Sequence, residues 1–374
     1  MAAQASRRRP LRTAAPYRRG LTKRDVLVVL VILVMIAAFA FPQLKKARDD
    51  EAARACRERL AVLGRALASY GNRNGGRLPG YMNLLRIEKG VPYVDPVTKE
   101  PSPVSWAVEI LPDLERADLY ADWKGASGSS ATTTVTDVYL ESLVCPADSS
   151  ARTTGAFLSY VANTGMPDLP SVIPAKAADA KNHASKGMPR DWQANGLFFD
   201  NFSDDPLVRQ DSQMRGPMVY MRMELVRDPK ERTILLTENM DATSYRLAPG
   251  SDKANRFSHA EAVVGATYAI GSVTGDSNET LAMTPARLSL KINADVSRGD
   301  GRNMGYCRPS SNHPGGVNVV YADQNAQFLN EKISYHVLAR MMSSEDFQMK
   351  YPGTAERVLQ NYRGFGPIEI ELNP

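Results

Sequence analysis

The stretch that decides the fold reads Arg18-Arg19-Gly20-Leu21-Thr22-Lys23-Arg24-Asp25, followed by the apolar run Val26 to Phe41 and then Pro42. The sixteen residues from Val26 to Phe41 carry no charged or polar side chain. As a helix they rise about 24 Å, a little short of the roughly 30 Å hydrocarbon core of a bilayer. A soluble domain needs a polar face on its outer helices, and this run has none, so it predicts a membrane segment. Pro42 has no N–H to donate and clashes with the preceding turn, so it can bend the helix there. Further on, Cys56, Leu60, Leu63, Leu67 and Tyr70 recur at spacings of 4, 3, 4 and 3, the apolar stripe of an amphipathic helix. Arg48, Asp49, Asp50, Arg54, Arg57, Glu58 and Arg59 mark its wet faces, and Gly71, Gly75, Gly76 and Pro79 mark its end. One helix from Thr22 to Tyr70 is expected, half in the bilayer and half against an exported domain.

The charge distribution agrees with that reading. The 374-residue chain has a net charge of +5, with 46 basic and 41 acidic residues. Six arginines and no acid lie within residues 1–20, so the remainder holds 40 basic against 41 acidic residues, a balance of −1. The positive charge thus belongs to the leader, where it keeps the N-terminus cytoplasmic. A nucleic-acid partner has no support in this balance. The apolar fraction of 43% is ordinary for a globular domain. Phe39-Ala40-Phe41-Pro42 offers no small-x-small cleavage site, so the apolar segment is expected to stay on the protein.

From Leu78 onward short β-type runs alternate with Pro, Gly, Asn and Asp. Strands are expected at Thr133–Leu140, Ala156–Ala162, Gly196–Phe199, Met218–Met223, Thr233–Thr237, Ala262–Ile270, Val317–Ala322 and Ala326–Leu329. Helices are expected near Ala107–Leu119, Ser334–Ser343 and Thr354–Asn361, and long loops at Met166–Arg190, Asp241–His259 and Val296–Pro314. The expected class is α+β: a long N-terminal helix packed through its second half on an antiparallel sheet, with long loop insertions. The chain divides into a basic cytoplasmic leader at 1–20, a transmembrane helix at 21–42, its extramembrane continuation at 43–76 and an exported domain at 77–374.

Around the C-terminal strands, Pro314-Gly315-Gly316 reads as a turn and Val317 to Tyr321 as a half-buried strand. Asp323-Gln324-Asn325 then turns the chain into Ala326–Leu329. Gln tolerates positive φ poorly, so a three-residue loop with Asn325 left-handed is expected. A strand of about six residues spans roughly 20 Å, which puts His313 and Asp323 at opposite ends unless the Pro-Gly-Gly turn folds His313 back. A turn-stabilising hydrogen bond is the plainer role for the two; catalysis or metal binding is the alternative. His183, His259 and His336 show no metal-ligand spacing, and neither a Gly-x-Ser-x-Gly elbow nor a phosphate-binding loop occurs. Cys145 and Cys307 both lie beside Pro-containing, loop-like segments, which allows a disulfide between them. Cys56, on the apolar stripe, reads as a small buried hydrophobe, and spacing alone leaves the connectivity open.

Two resemblances follow from these residues. Arg19-Gly20-Leu21-Thr22 with Asp25, the apolar run and Pro42 resembles the processing site of type IV prepilins and type II secretion pseudopilins. It implies a pilin-like fold, cleavage after Gly20 by a prepilin peptidase, and a new N-terminus, open to methylation, at Leu21. Asp25 stands where that family carries Glu, and Lys23 and Arg24 replace two apolar residues. The stretch Ser311 to Asp323 is similar to the signature of the prepilin-like domain of unknown function 1559, in which a His is followed after nine residues by Asp-Gly. Here His313 and Asp323 match and Gln324 replaces the Gly. Cys56 with Leu60 and Tyr70 on the first helix, then the blocks Leu143–Asp148, Ser159–Asn163, Asn195–Phe199 and Arg232–Glu238, resemble the family in family order.

The resemblance implies a non-catalytic, pseudopilin-like structural subunit or surface protein. It would sit in the cytoplasmic membrane by a single pass, with its C-terminal domain periplasmic or extracellular. Its partners would be the membrane, the peptidase and like subunits through the helix. The alternative is an uncleaved single-pass protein whose exported domain binds a ligand or partner. No cofactor is expected. Some pseudopilins hold calcium in a C-terminal loop, and Asp200, Asp204 and Asp205 are the acids that could do so here, although as loop residues they read first as solvated.

Overall fold

The computed structural model describes residues 23–86, 91–92, 94, 101–125, 137–148, 155–166, 192–203, 218–247, 260–268, 291–294, 307–350 and 357. The chain divides into two units, Met1–Arg48 and Asp49–Pro374. Helix α1 (Lys23–Arg73) runs through 51 residues with Pro42 inside it, so the proline does not end the helix. In the first unit every residue from Val26 to Ile36 is 45–65% exposed. Among the described residues, α1 is the one helix long and apolar enough to cross a membrane.

In the second unit the expected stripe is buried. Cys56, Leu60, Leu63 and Leu67 have no exposed surface, and Tyr70 is half-buried. Arg59, expected on a wet face, instead donates Nη1 to the Val144 carbonyl and pairs with Glu141. The guanidinium reaches across to the loop that carries Cys145 and satisfies one of its carbonyls. Gly64 lies so close to the sheet that a Cβ there would stand 2.9 Å from Val320 Cγ2. The last turn is anchored by Arg73, which binds the Asp113 carboxylate through Nε (3.1 Å) and Nη2.

That stripe packs on a five-stranded sheet formed by β3 (Tyr160–Gly165), β5 (Ile234–Glu238), β6 (Gly265–Thr267), β7 (Gly316–Tyr321) and β8 (Ala326–Asn330). Its order is β6-β3-β5-β7-β8. The pairs β3–β5, β5–β7 and β7–β8 are antiparallel, as expected, whereas β3–β6 is parallel, so the sheet is mixed. All residues of β3, β5, β6 and β7 but none of β8 except Leu329 are buried, which marks β8 as the wet edge. A smaller sheet joins β1 (Met82–Asn83), β2 (Val104–Ser105) and β4 (Asp200–Asn201) in the order β2-β1-β4.

Several elements differ from expectation. The helix expected at Ala107–Leu119 is three pieces: α2 (Trp106–Glu109), a 3-10 turn at Leu111–Leu114 and α3 (Ala117–Gly125). Pro112 withholds an N–H at the start of the 3-10 turn, and Glu115 takes a left-handed φ of 60° after it. The strand expected at Ala262–Ile270 is α4 (Ala260–Val264) leading into β6. Gly196–Phe199 is buried but is no strand; the N–H groups of Leu197 and Phe198 both reach the Asn163 carbonyl. Met218–Met223 contributes a single bridge, Arg77 to Arg222. The helix expected at Ser334–Ser343 forms as α5 (Tyr335–Met341). The helix at Thr354–Asn361 and the three long loops lie mostly outside the described residues; of the strand expected at Thr133–Leu140, residues 137–140 are described and form no strand.

Candidate functional site

Four elements bring their chemistry to one buried point on the α1 side of the sheet. Cys56 comes from α1, Cys145 from the loop after the 3-10 turn Glu141–Leu143, Glu238 from the end of β5, and His313 from the curl before β7. Cys56 and Cys145 form a disulfide that closes 89 positions of chain. This overturns the expected Cys145–Cys307 pairing: Cys56 is on the stripe, but the stripe faces the Cys145 loop. Cys307 remains a thiol with no exposed surface, and burial first, then the Glu261 carboxylate, pushes its pKa well up.

Local hydrogen bonds hold each member in place. Arg59 and the Asn312 side chain take the Val144 and Ala147 carbonyls on either side of Cys145, the latter at 2.7 Å. Ser159 Oγ donates to Asp148 Oδ2 at 2.7 Å, closing the far end of that loop. The curl at His313 is built on Ser311, whose Oγ accepts from the His313 N–H (3.0 Å) and donates to the Gly316 carbonyl (2.7 Å). Gly315 supplies a φ of 82° that other residues avoid. The Pro-Gly-Gly turn therefore does fold His313 back, and its ring reaches β5 instead of bracing the turn.

His313 Nε2 lies 3.2 Å from Glu238 Oε1 and 3.4 Å from Cys145 Sγ. A disulfide sulfur has no proton to give, so Nε2 carries the hydrogen and Glu238 accepts it. The same carboxylate accepts the Asn318 N–H at Oε2 (2.7 Å) and the Asn318 Nδ2 at Oε1 (3.1 Å). Three donors thus converge on one buried acid, which is how a charge survives away from water. Tyr160 is opposite Glu238 in the ladder and shares its face. Burial, and then the Glu238 charge, push the Tyr160 phenol well above its ordinary value. Two sulfurs, one carboxylate oxygen and one imidazole nitrogen lie within 4.8 Å of one another, a donor set that suits a tetrahedral metal ion as well as a disulfide with a His–Glu pair.

A family model described as "Protein of unknown function (DUF1559)" matches residues 46–335, most of the chain and all four members of the cluster. The chain belongs to the DUF1559 family. No curated protein matches it, and no solved structure does. The DUF1559 match begins after the apolar run, so it covers the docked part of α1 and the sheet.

The other candidate residues fall elsewhere in this DUF1559 chain. Gly20 and Leu21 lie outside the described residues, and Asp25 is exposed in the first turn of α1. Asp323 is not in the cluster. Its Oδ1 accepts the Asn325 N–H at 3.0 Å and its Oδ2 the Asn325 side chain at 2.6 Å. Asn325 is thereby held, and Gln324 takes the left-handed φ of 72° in place of the expected Asn325. Asp200, expected as a solvated loop acid, is instead buried in β4 and accepts the N–H groups of Phe202 (3.0 Å) and Ser203 (2.8 Å), while Asp204 and Asp205 lie outside the described residues. Glu238 and Asn318 were not expected at a site. Glu238 does carry a signal, being the acid that ends the otherwise uncharged run Ile234-Leu235-Leu236-Thr237.

Proposed function

We propose that this DUF1559 member is a membrane-anchored, pseudopilin-like subunit with a structural role and no catalysis of its own. The observation that carries the reading is the double use of α1. Its run from Val26 to Ile36 is apolar and exposed, whereas Cys56, Leu60, Leu63 and Leu67 on the same helix are fully buried in the second unit. Apolar surface of that length exposed to water would be unfavourable, and a bilayer or the helices of like subunits would remove it. The Cys56–Cys145 disulfide favours an oxidising compartment for the second unit, and the six leader arginines favour a cytoplasmic N-terminus. Cleavage after Gly20 by a prepilin peptidase would leave the Leu21 amine, free or methylated, one helical turn from Asp25, its natural anionic partner.

The test is the intact mass of the protein extracted from membranes. Loss of residues 1–20, abolished by Gly20→Glu, is the expected result, together with cross-links between apolar helices of neighbouring copies. A mature chain that keeps its leader and forms no such cross-links would replace this reading with a simple single-pass anchor carrying a ligand- or partner-binding domain.

A further inference from the structure

We propose that Cys56, Cys145, Glu238 and His313 form a zinc site when the disulfide is reduced, so that the disulfide is the oxidised, metal-free state of one centre. Four side chains from four separate elements meet within 4.8 Å, all of them buried. A tetrahedral zinc with bonds of about 2.0–2.3 Å spaces its ligand atoms by about 3.3–3.8 Å, which the imidazole already matches to two of the other donors. Nε2 is already 3.4 Å from the Cys145 sulfur and 3.2 Å from the carboxylate oxygen. The main movement is separation of the two sulfurs once their bond is gone.

The surroundings suit the extra negative charge that two thiolates bring. Glu238 is held by the Asn318 N–H and side chain, the outer support that orients a metal-binding carboxylate. Among the described residues, the Tyr160 hydroxyl and the Asn318 Oδ1, both buried and both beside Glu238, have no hydrogen-bond partner. Tyr160 is the ladder partner of Glu238, so its phenol is a buried, unused donor on the face of the sheet that carries the acid. Arg59 brings a guanidinium to the carbonyl next to Cys145.

A dithiol reductant exchanges with the Cys56–Cys145 bond, giving two protein thiols and the reductant's own disulfide. A zinc ion then displaces one proton from each thiol and the Nε2 proton moves to Nδ1, leaving Nε2, two thiolates and the Glu238 carboxylate as ligands. Two protons leave to solvent, so uptake weakens as pH falls. Reoxidation by a disulfide-bearing oxidant would reverse both steps and expel the metal.

The experiment uses the full chain in detergent carrying Cys307→Ser, so that only the paired cysteines respond. After reduction with a phosphine and its anaerobic removal, zinc uptake is measured, and cobalt is used as a spectroscopic probe. Stoichiometric uptake by the reduced chain, none by the oxidised chain, and a thiolate-to-cobalt charge-transfer band are expected. His313→Ala and Glu238→Gln should each weaken zinc at least roughly tenfold. No uptake by the reduced parent overturns the proposal, and so does uptake unchanged in both variants. Should the variants not fold, the parent decides: zinc must slow alkylation of Cys56 and Cys145 and raise the melting temperature of the reduced chain alone. Absence of that protection overturns the site.

Discussion

His313 Nε2 and Glu238 Oε1 stand 3.2 Å apart, with 75 positions of sequence between them and almost no solvent access to either side chain. The contact couples the curl before β7 to the end of β5, and Asn318 completes it from the same strand that follows His313. The acid has three donors and the imidazole one firm acceptor, so removing either partner strands a buried polar group.

Glu238→Gln should therefore cost about 1–3 kcal/mol, because the charge-assisted bonds weaken and the new amide brings donors with no acceptor near Asn318 N–H. Chemical denaturation of the detergent-solubilised chain measures it. A midpoint within error of the parent would mean that the carboxylate is not held as described.

The disulfide contributes stability of its own. Opening a bridge across 89 positions should cost about 2–5 kcal/mol by releasing the unfolded chain. Cys56→Ser and Cys145→Ser should each abolish the loss of stability that a reductant causes in the parent, while Cys307→Ser should retain it. Reductant sensitivity lost in Cys307→Ser would reassign the pairing.

Docking of α1 predicts an asymmetric pair of substitutions. Leu63→Ala removes a fully buried side chain and should cost about 2–5 kcal/mol, whereas Arg65→Ala, exposed on the other side, should change stability by less than about 0.5 kcal/mol. Comparable losses from both would show that the stripe does not dock on the sheet.

Two acids away from the cluster set a pH dependence. Glu109 is pushed up to about 7, chiefly by burial, and Asp228 to about 6, by burial and then by Asp346. Both folded values exceed the unfolded ones, so the folded state binds the proton more tightly. Their stabilising contribution is complete below about pH 4 and is lost as pH rises through 6 and 7. Stability should consequently fall between about pH 4 and pH 7, and Glu109→Gln with Asp228→Asn should flatten that slope. A double variant whose slope matches the parent would refute the assignment.

Only local features could be read from the residue pattern alone. The stripe from Cys56 to Leu67 is legible because a helix repeats at 3.6 residues, and Val26–Phe41 and Ile234–Leu236 because they are unbroken apolar runs; Val317–Tyr321, expected as a half-buried strand, lies in Gly316–Tyr321, which is buried on both faces. The strand expected at Ala262–Ile270 is helix through Val264 and strand only over Gly265–Thr267, since a few buried residues fit a helix turn or a strand equally well. The cluster was decided only in three dimensions. Nothing in the spacing of Cys56, Cys145, Glu238 and His313 relates them; they meet because α1 lies against the face of the sheet that carries Glu238 and because Gly315 lets the chain curl His313 back onto β5. Pairing partners are chosen by which faces pack together, and packing is a property of the folded chain rather than of any one segment.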